Sequence, residues 1–219
     1  KWSRSSSIKF FTSPIIISIL FSIVTIALLT YFFKTYNLII LISIFTGSLI
    51  VFRYFIEIFN YFYSKKYINI FSMIAHLGLG LLLISISFNS LLSSERALNI
   101  KINEFEEYKD LKITFQDIKV VKNSNNDSIK AIFLIEDNSG KIFELSPEKR
   151  RYFTRGQITT ETSIYISLLR DIYITIGDQL DDGSWIVNIQ INYFIRWIWF
   201  SASLMAIAGI VLIFSRRTS

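Results

Sequence analysis

The chain has 219 residues, of which 52% are hydrophobic and 18% charged, and its mean hydropathy is +0.44. A single soluble domain of this size would carry more charge and fewer uninterrupted apolar runs, so the composition indicates an integral membrane protein. The net charge is +6, yet residues 93–191 hold 13 basic and 16 acidic residues, and the rest holds 10 basic residues and one acid, Glu57. The positive charge therefore lies at the edges of apolar segments, and nucleic acid is not expected as a partner.

Four apolar runs are each long enough to cross about 30 Å of hydrocarbon at about 1.5 Å per residue. They cover about 13–33, 38–59, 70–91 and 194–214. The first run exceeds a signal-peptide core and lacks a small-residue cleavage pattern, so it is interpreted as a true span. Residues 1–92 are thus predicted to form three transmembrane helices, and residues 192–219 a fourth helix with a basic tail.

The apolar period changes between the third and fourth runs. Three segments, 111–121, 129–136 and 185–191, alternate apolar with polar residues and are rich in Ile, Val, Phe and Thr, which is typical of strands. Asn- and Gly-containing turn signals at 123–126, 138–140 and 181–183 separate such segments. We therefore predict a membrane α-helical protein with an inserted all-β domain, a small sandwich or barrel-like unit covering 93–191.

Basic residues at the ends of the spans predict the orientation. Lys1, Arg4 and Lys9 precede the first span, Lys65 and Lys66 lie between the second and third, and Arg216 and Arg217 follow the fourth. The alternate connections carry only Lys34, and Arg196 at the edge of the fourth span. The positive-inside rule then places both termini inside and the β domain outside.

The candidate chemistry inside the membrane centres on His76, the only histidine of the chain. An imidazole within a span must hydrogen-bond, bind a metal or relay protons. Gly80 is at i+4, on the same helical face, and lacks a side chain that would block a planar group. The alternative is a neutral histidine bonded across a helix interface, with Gly78 and Gly80 serving close helix packing.

Two further polar or aromatic features of the spans have plainer interpretations. Arg53 and Glu57 are at i,i+4 in the second span, and we interpret them as a mutually compensating ion pair. Trp197 and Trp199 open the fourth span and are interpreted as interfacial anchors.

Within the β domain, residues 147–152 (PEKRRY) form a dense basic stretch. Arg150 and Arg151 could bind carboxylates, such as the propionates of a porphyrin or an acidic partner. The alternative is a solvated turn whose charges pair with nearby acids. The domain contains no histidine and no Gly-rich phosphate loop, so no hydrolase chemistry and no catalytic residue is predicted.

Several ordered blocks together resemble the C-terminal part of the CcmF/NrfE family, the haem lyase subunits of cytochrome c maturation. The blocks are 75–78 (AHLG), 94–96 (SER), 115–118 (FQDI), 147–152 (PEKRRY), 160–164 (TETSI), 170–173 (RDIY), 183–185 (GSW) and 196–199 (RWIW). Their order and their placement relative to the spans make the resemblance specific. Asn192-Tyr193 lacks the proline that the family often has before its RWIW block.

The resemblance implies a role in attaching haem covalently to apocytochrome c. In this family an intramembrane haem b lies between two helix histidines, and the block around His76 matches one of them, so His76 would be an axial ligand. The haem b would pass electrons to haem delivered by the chaperone CcmE. The resemblance also implies a CcmH-type apocytochrome-binding subunit as partner, and a bacterial or mitochondrial inner membrane with the β domain in the periplasm or intermembrane space.

The second haem b ligand and the tryptophan-rich external motif of the family belong to its N-terminal portion, which the sequence does not contain. We therefore expect a fragment or one piece of a split protein, inactive without that portion. The main alternative function is a non-enzymatic membrane scaffold whose β domain docks a partner. A transporter fragment is the weakest alternative, because the four spans contain no broken-helix pair or inverted repeat.

Overall fold

The computed structural model describes residues 13–64, 70–154 and 156–217, and it divides into two compact units. One unit is helical and falls within 1–92 and 194–219, whereas the other comprises Ser93–Tyr193 and is built of strands. Five of the basic residues used to predict orientation, Lys1, Arg4, Lys9, Lys65 and Lys66, lie outside the described residues, as do the side chains of Arg216 and Arg217.

Four helices form the first unit among the described residues: α1 (Pro14–Phe33), α2 (Leu38–Ser64), α3 (Ile70–Leu92) and α4 (Ile195–Arg217). Each is long and apolar enough to cross a membrane. Pro14 occupies the first turn of α1, where its missing N–H is tolerated, and Lys34 ends that helix in the left-handed region with a φ of 49°. The side chain of Asn37 then accepts the N–H of Ile39 at 3.0 Å and begins α2.

Small residues bring neighbouring helices together. A Cβ built on Gly80 of α3 would lie 2.9 Å from the carbonyl oxygen of Gly47 in α2, so both positions require glycine for this backbone approach. A Cβ on Gly78 would lie 2.8 Å from Met205 of α4. The buried Ser22 donates from Oγ to the carbonyl of Ser18 at 2.8 Å, so its hydroxyl is satisfied within its own helix.

Ten strands form the second unit: β1 (Ser94–Ile100), β2 (Phe105–Tyr108), β3 (Leu111–Lys122), β4 (Asn126–Asp137), β5 (Ile142–Leu145), β6 (Glu148–Tyr152), β7 (Ile158–Glu161), β8 (Ser163–Ile166), β9 (Arg170–Gln179) and β10 (Trp185–Tyr193). They pair antiparallel in a four-stranded sheet of order β1-β10-β9-β8 and a larger sheet of order β2-β3-β4-β6-β7, with β5 also paired to β4. The predicted fold class, four helices with an inserted all-β domain, is confirmed.

Both sheets contribute to one apolar core. Every second residue of β9 and β10 points inward, and Ile174 and Ile189 are among those that are fully buried. Phe115 of β3 and Phe133 of β4 stack from the other sheet with ring centroids 4.5 Å apart. The alternation of apolar and polar residues in the sequence thus becomes an inward and an outward face.

Arg170 ties the two sheets together at one end of the domain. Its guanidinium donates to Asp110 Oδ2 at 2.5 Å and lies 3.8 Å from Asp137, and its side chain is only 18% exposed. The next residue, Asp171, is buried and accepts the N–H of Ser167 at 3.1 Å. Arg170 and Asp171, both from the block 170–173, therefore stabilise the architecture of the β domain.

Candidate functional site

His76 lies on an exposed face of α3, and its ring is oriented by its own helix. Its Nδ1 is 2.6 Å from the carbonyl oxygen of Ser72, one turn earlier. Because a carbonyl oxygen can only accept, Nδ1 is the donor in this contact, and Nε2 is the ring nitrogen left for another partner. The Ser72 hydroxyl is farther from Nδ1, at 3.4 Å, and does not decide the tautomer.

A second aromatic ring contacts the imidazole from the neighbouring helix. Tyr54 of α2 stacks on His76 with centroids 5.0 Å apart and planes inclined by 28°. Beside Tyr54, Arg53 and Glu57 form the predicted i,i+4 ion pair, with both side chains 31% exposed. These residues place a polar cluster between the C-terminal half of α2 and the N-terminal half of α3, where polar side chains are costly if hydrocarbon surrounds them.

Gly80 does not share the open surroundings of His76. The space where its side chain would be is filled by Gly47, Ile50 and Val51 of α2. The open side that the i+4 spacing predicts is therefore closed by helix packing, because the two glycines let the backbones meet. Gly80 acts on His76 only through the placement of α2 beside α3.

The donor set around His76 fits a single axial metal bond. No group of three or more His, Cys, Asp or Glu side chains that could hold a metal ion occurs among the described residues. A four-ligand zinc-type site is thus not formed there, whereas one imidazole nitrogen is what a haem iron takes from each side. The residues present fit one half of a bis-histidine haem site.

The structure separates Arg150 from Arg151, and the stretch that holds them is a strand rather than a solvated turn. Neighbouring residues on β6 point to opposite faces. Arg150 donates from Nε to Glu148 at 3.0 Å, and its Nη1 lies 3.7 Å from Glu161. The hydrogen bond with Glu148 raises the pKa of the guanidinium. Arg151 is exposed and pairs in register with Asp127 and Ile158. Both arginines nevertheless line one cleft of the β domain, together with Lys149.

A cleft at the β6 end of the domain was not predicted. It encloses about 430 Å³ and has mainly apolar walls, with Ile129, Ile158 and Trp185 among its lining residues. The charged residues that line it are Asp127, Lys149, Arg150, Arg151 and Asp178. Lys149 is engaged by Asp178 of β9. The sequence carried no signal for this cleft because its walls come from strands that are distant along the chain.

Two contacts of the imidazole were also missed by sequence reasoning, the Ser72 carbonyl and the Tyr54 ring. The first could have been inferred, since the carbonyl of residue i−4 lies one helical turn before the histidine and is within reach of the ring in a suitable rotamer. The second depends on how α2 and α3 pack against each other, which no local pattern specifies.

Comparisons with known proteins agree with this architecture. A family model described as "CcmF C-terminal beta-sandwich" matches residues 91–192. The cytochrome c-type biogenesis protein CcmF of Escherichia coli is 33% identical over 144 residues, which are 65% of this chain and 22% of that protein. The probable cytochrome c-type biogenesis protein NrfE of the same organism is 28% identical over 69% of this chain and 27% of its own length.

A solved structure, "Cytochrome c Heme Lyase CcmF", has the same fold. The TM-score is 0.67 at 12% sequence identity, over 87% of this chain and 33% of that one. The chain thus spans about a fifth to a quarter of the length of these two curated relatives. The predicted resemblance is confirmed, and the chain belongs to the CcmF/NrfE family of cytochrome c-type biogenesis proteins, to whose C-terminal portion it corresponds.

Proposed function

We propose that this chain supplies, through Nε2 of His76, one axial ligand of an intramembrane haem b in a cytochrome c haem lyase subunit. The observation that carries the proposal is the 2.6 Å bond from Nδ1 to the Ser72 carbonyl. A metal-binding histidine characteristically donates its other ring N–H to a carbonyl or carboxylate, which fixes the tautomer and raises the basicity of the ligating nitrogen.

The exposure of His76 supports the same assignment. An imidazole on the outer face of a membrane helix faces hydrocarbon unless another group covers it, and leaving it there is costly. Nε2 makes no hydrogen bond within the described ranges 13–64, 70–154 and 156–217. A ligand that approaches this face would satisfy it, with the second axial ligand coming from an N-terminal portion of the same protein or a split partner subunit.

The residues of the chain bind and orient, whereas the redox chemistry is that of the cofactor. When bound, haem b would supply one-electron reduction of the haem that is delivered for attachment to apocytochrome c. The Ser72 carbonyl accepts the hydrogen bond from Nδ1 and so leaves Nε2 as the ring nitrogen that would meet a ligand, while Tyr54 of α2 covers one face of the ring. Axial ligation and hydrogen bonding to the ligand are two of the levers by which a protein sets a haem potential.

We assign the remaining partners by family. The β domain would lie on the periplasmic or intermembrane-space side of an inner membrane. There it would meet the chaperone CcmE, a CcmH-type subunit and apocytochrome c. The cleft lined by Lys149, Arg150 and Arg151 is where a carboxylate-bearing partner or haem propionates would bind, with Arg151 as the main donor because Lys149 is paired with Asp178. Arg150, paired with Glu148, contributes less to such a contact.

The same cleft supports a second candidate, a non-enzymatic scaffold whose β domain docks a partner. In that case His76 is a packing residue stacked on Tyr54, and no haem depends on it. The haem-ligand function predicts that His76→Ala loses the b-type bands, whereas the scaffold function predicts that it does not.

The test is His76→Ala in the chain co-expressed with the N-terminal portion of a CcmF-type protein. Reduced-minus-oxidised spectra of the purified membrane complex should lose the b-type bands completely. Ser72→Ala is the matched control, because it keeps the backbone carbonyl and should keep the bands. Unchanged bands in His76→Ala would refute the ligand assignment and leave the scaffold as the better function.

A further inference from the structure

We infer that Tyr54 is a positioning residue for His76, holding the imidazole by ring stacking so that Nε2 keeps one direction. The inference rests on the proposed function, since it concerns the side chain that would bind haem. The stacking itself involves only residues of this chain and can be tested without haem. It also explains why an aromatic residue lies beside the ion pair of Arg53 and Glu57.

The two contacts of the imidazole restrict different motions. The hydrogen bond from Nδ1 to the Ser72 carbonyl fixes which ring edge faces the helix backbone. It leaves the ring able to swing about the line joining the two atoms, because terminal rotation in histidine is broad. Tyr54 stacks on the ring face at 5.0 Å and 28°, within the range of favourable offset stacking, and blocks this swing.

The packing of the helices determines the stacking distance. Gly80 lies four residues after His76 on α3, and Gly47 lies seven residues before Tyr54 on α2, so each glycine shares a helical face with one of the two rings. The backbones meet so closely at the glycines that a Cβ on Gly47 would lie 2.8 Å from the carbonyl oxygen of Gly80. Further along the same pair of helices, this approach brings the two rings into contact. The glycine pair is thus the structural basis of the stack.

A fixed ring plane matters for a haem ligand. Productive metal-ligand geometry tolerates only small angular deviations, and the groups around the ligand set its orientation. A ring that rotates would present Nε2 in several directions and would bind with a distribution of geometries. A distribution of geometries broadens or shifts the potential and the electron paramagnetic resonance signal of a low-spin haem.

The chain has one histidine, which allows a direct measurement. Histidine-selective ¹⁵N labelling of the full chain in lipid nanodiscs gives signals from a single imidazole. We expect wild-type protein to show one neutral ring with the proton on Nδ1. Tyr54→Leu should raise the population of other ring states about two- to tenfold, which corresponds to the usual strength of an aromatic pair. Tyr54→Phe should match wild type, because it keeps the ring and removes only the hydroxyl.

Tyr63→Leu is the matched control, because Tyr63 is on the same helix and pairs with Phe59 rather than with a histidine. It should leave the imidazole signals unchanged. If Tyr54→Leu does not fold, as judged by helix content and monodispersity, Tyr54→Met replaces it with the same expectation. A wild-type imidazole spectrum in the folded Leu or Met variant, or equal disturbance in Tyr54→Phe, would overturn the inference.

The haem-loaded complex separates this inference from the function on which it rests. We expect Tyr54→Leu to keep the b-type bands but to shift the midpoint potential or the low-spin resonance signal, while Tyr54→Phe retains both. Bands, potential and resonance signal that are all unchanged in Tyr54→Leu, together with their loss in His76→Ala, would refute the positioning role alone. Bands that survive His76→Ala would refute the ligand assignment, whatever Tyr54 does to the ring.

Discussion

Isoleucine and phenylalanine fill the interior of the β domain but cover the exterior of the helices. Ile172, Ile174 and Ile176 are 0% exposed in β9, whereas Ile15 of α1 is 55% exposed and Phe32 is 71% exposed. Only 11–22% of the most apolar window of each helix is buried within the protein. The β domain thus has its own core, and the helices depend on lipid or on further helices to cover the same types of side chain.

The β domain and the helical unit are therefore stabilised by different interactions. In the β domain, water drives the burial of side chains between the sheets, so removing buried volume there loses both transfer free energy and packing. In the helical unit, lipid is as apolar as the side chains, so close packing of small residues contributes most. Truncating a large apolar side chain should therefore destabilise the β domain most. Enlarging a small residue should destabilise the helical unit most.

The largest expected effect comes from removing a buried ring from the core of the β domain. Phe133→Ala removes a fully buried ring that stacks on Phe115 and should destabilise the β domain by about 3–5 kcal/mol. Hydrogen exchange of β3 and β4 in the full chain, followed by mass spectrometry, measures the loss. Phe105→Ala on β2, where the ring is 53% exposed, should change exchange little. Comparable losses in both variants would contradict the assignment of the core.

The second effect probes the packing of the helices. Gly80→Ala forces a Cβ against Gly47 and Val51 and should cost about 1–3 kcal/mol. Gly209→Ala is the matched control, because nothing lies within 4 Å of the added Cβ. Thermal unfolding in detergent compares the two variants. If Gly80→Ala weakens the b-type bands without lowering thermal stability, Gly80 contacts the cofactor rather than the neighbouring helix.

The smallest effect is a pH dependence of the β domain. Hydrogen bonds from the Ser184 hydroxyl and N–H lower the pKa of the Asp182 carboxyl in the β9–β10 turn. In the unfolded chain this carboxyl has an ordinary pKa of about 3.9 and binds a proton more readily than in the folded domain. Asp182 therefore contributes to folding stability above about pH 4. This contribution is lost as the pH falls through the folded-state pKa.

Asp182→Asn keeps an acceptor for Ser184 but cannot titrate. Hydrogen exchange of β9 and β10 at matched intrinsic rates should therefore depend less on pH below about pH 4 in this variant than in wild type. An identical acid profile for the two proteins would remove Asp182 from the acid sensitivity of the domain. The control Ser184→Ala, which removes the hydroxyl donor and keeps the N–H, should give an intermediate profile.

Much of the fold was predictable because its signals are local. The starts of α1, α2 and α3 fall within a residue of the predictions, since an apolar run must begin where hydrocarbon begins. The second helix continues to Ser64, five residues past its predicted end at 59, and three of the added residues, 61–63, are aromatic. Strands β3, β4 and β10 follow the alternating segments closely, whereas the charged strand β6 lacks that alternation.

The sequence by itself determined the class of protein, the four apolar helices and the inserted β domain, and it singled out His76 as the candidate ligand. Hydropathy and period depend on neighbouring residues alone, and a single histidine needs no structure to be noticed. Only the tertiary structure decided the surroundings of that histidine, including the closure of Gly80 by α2 and the stacking of Tyr54, and it brought together the walls of the cleft beside β6. These features depend on which faces of distant segments meet, and packing selects those faces across the whole chain.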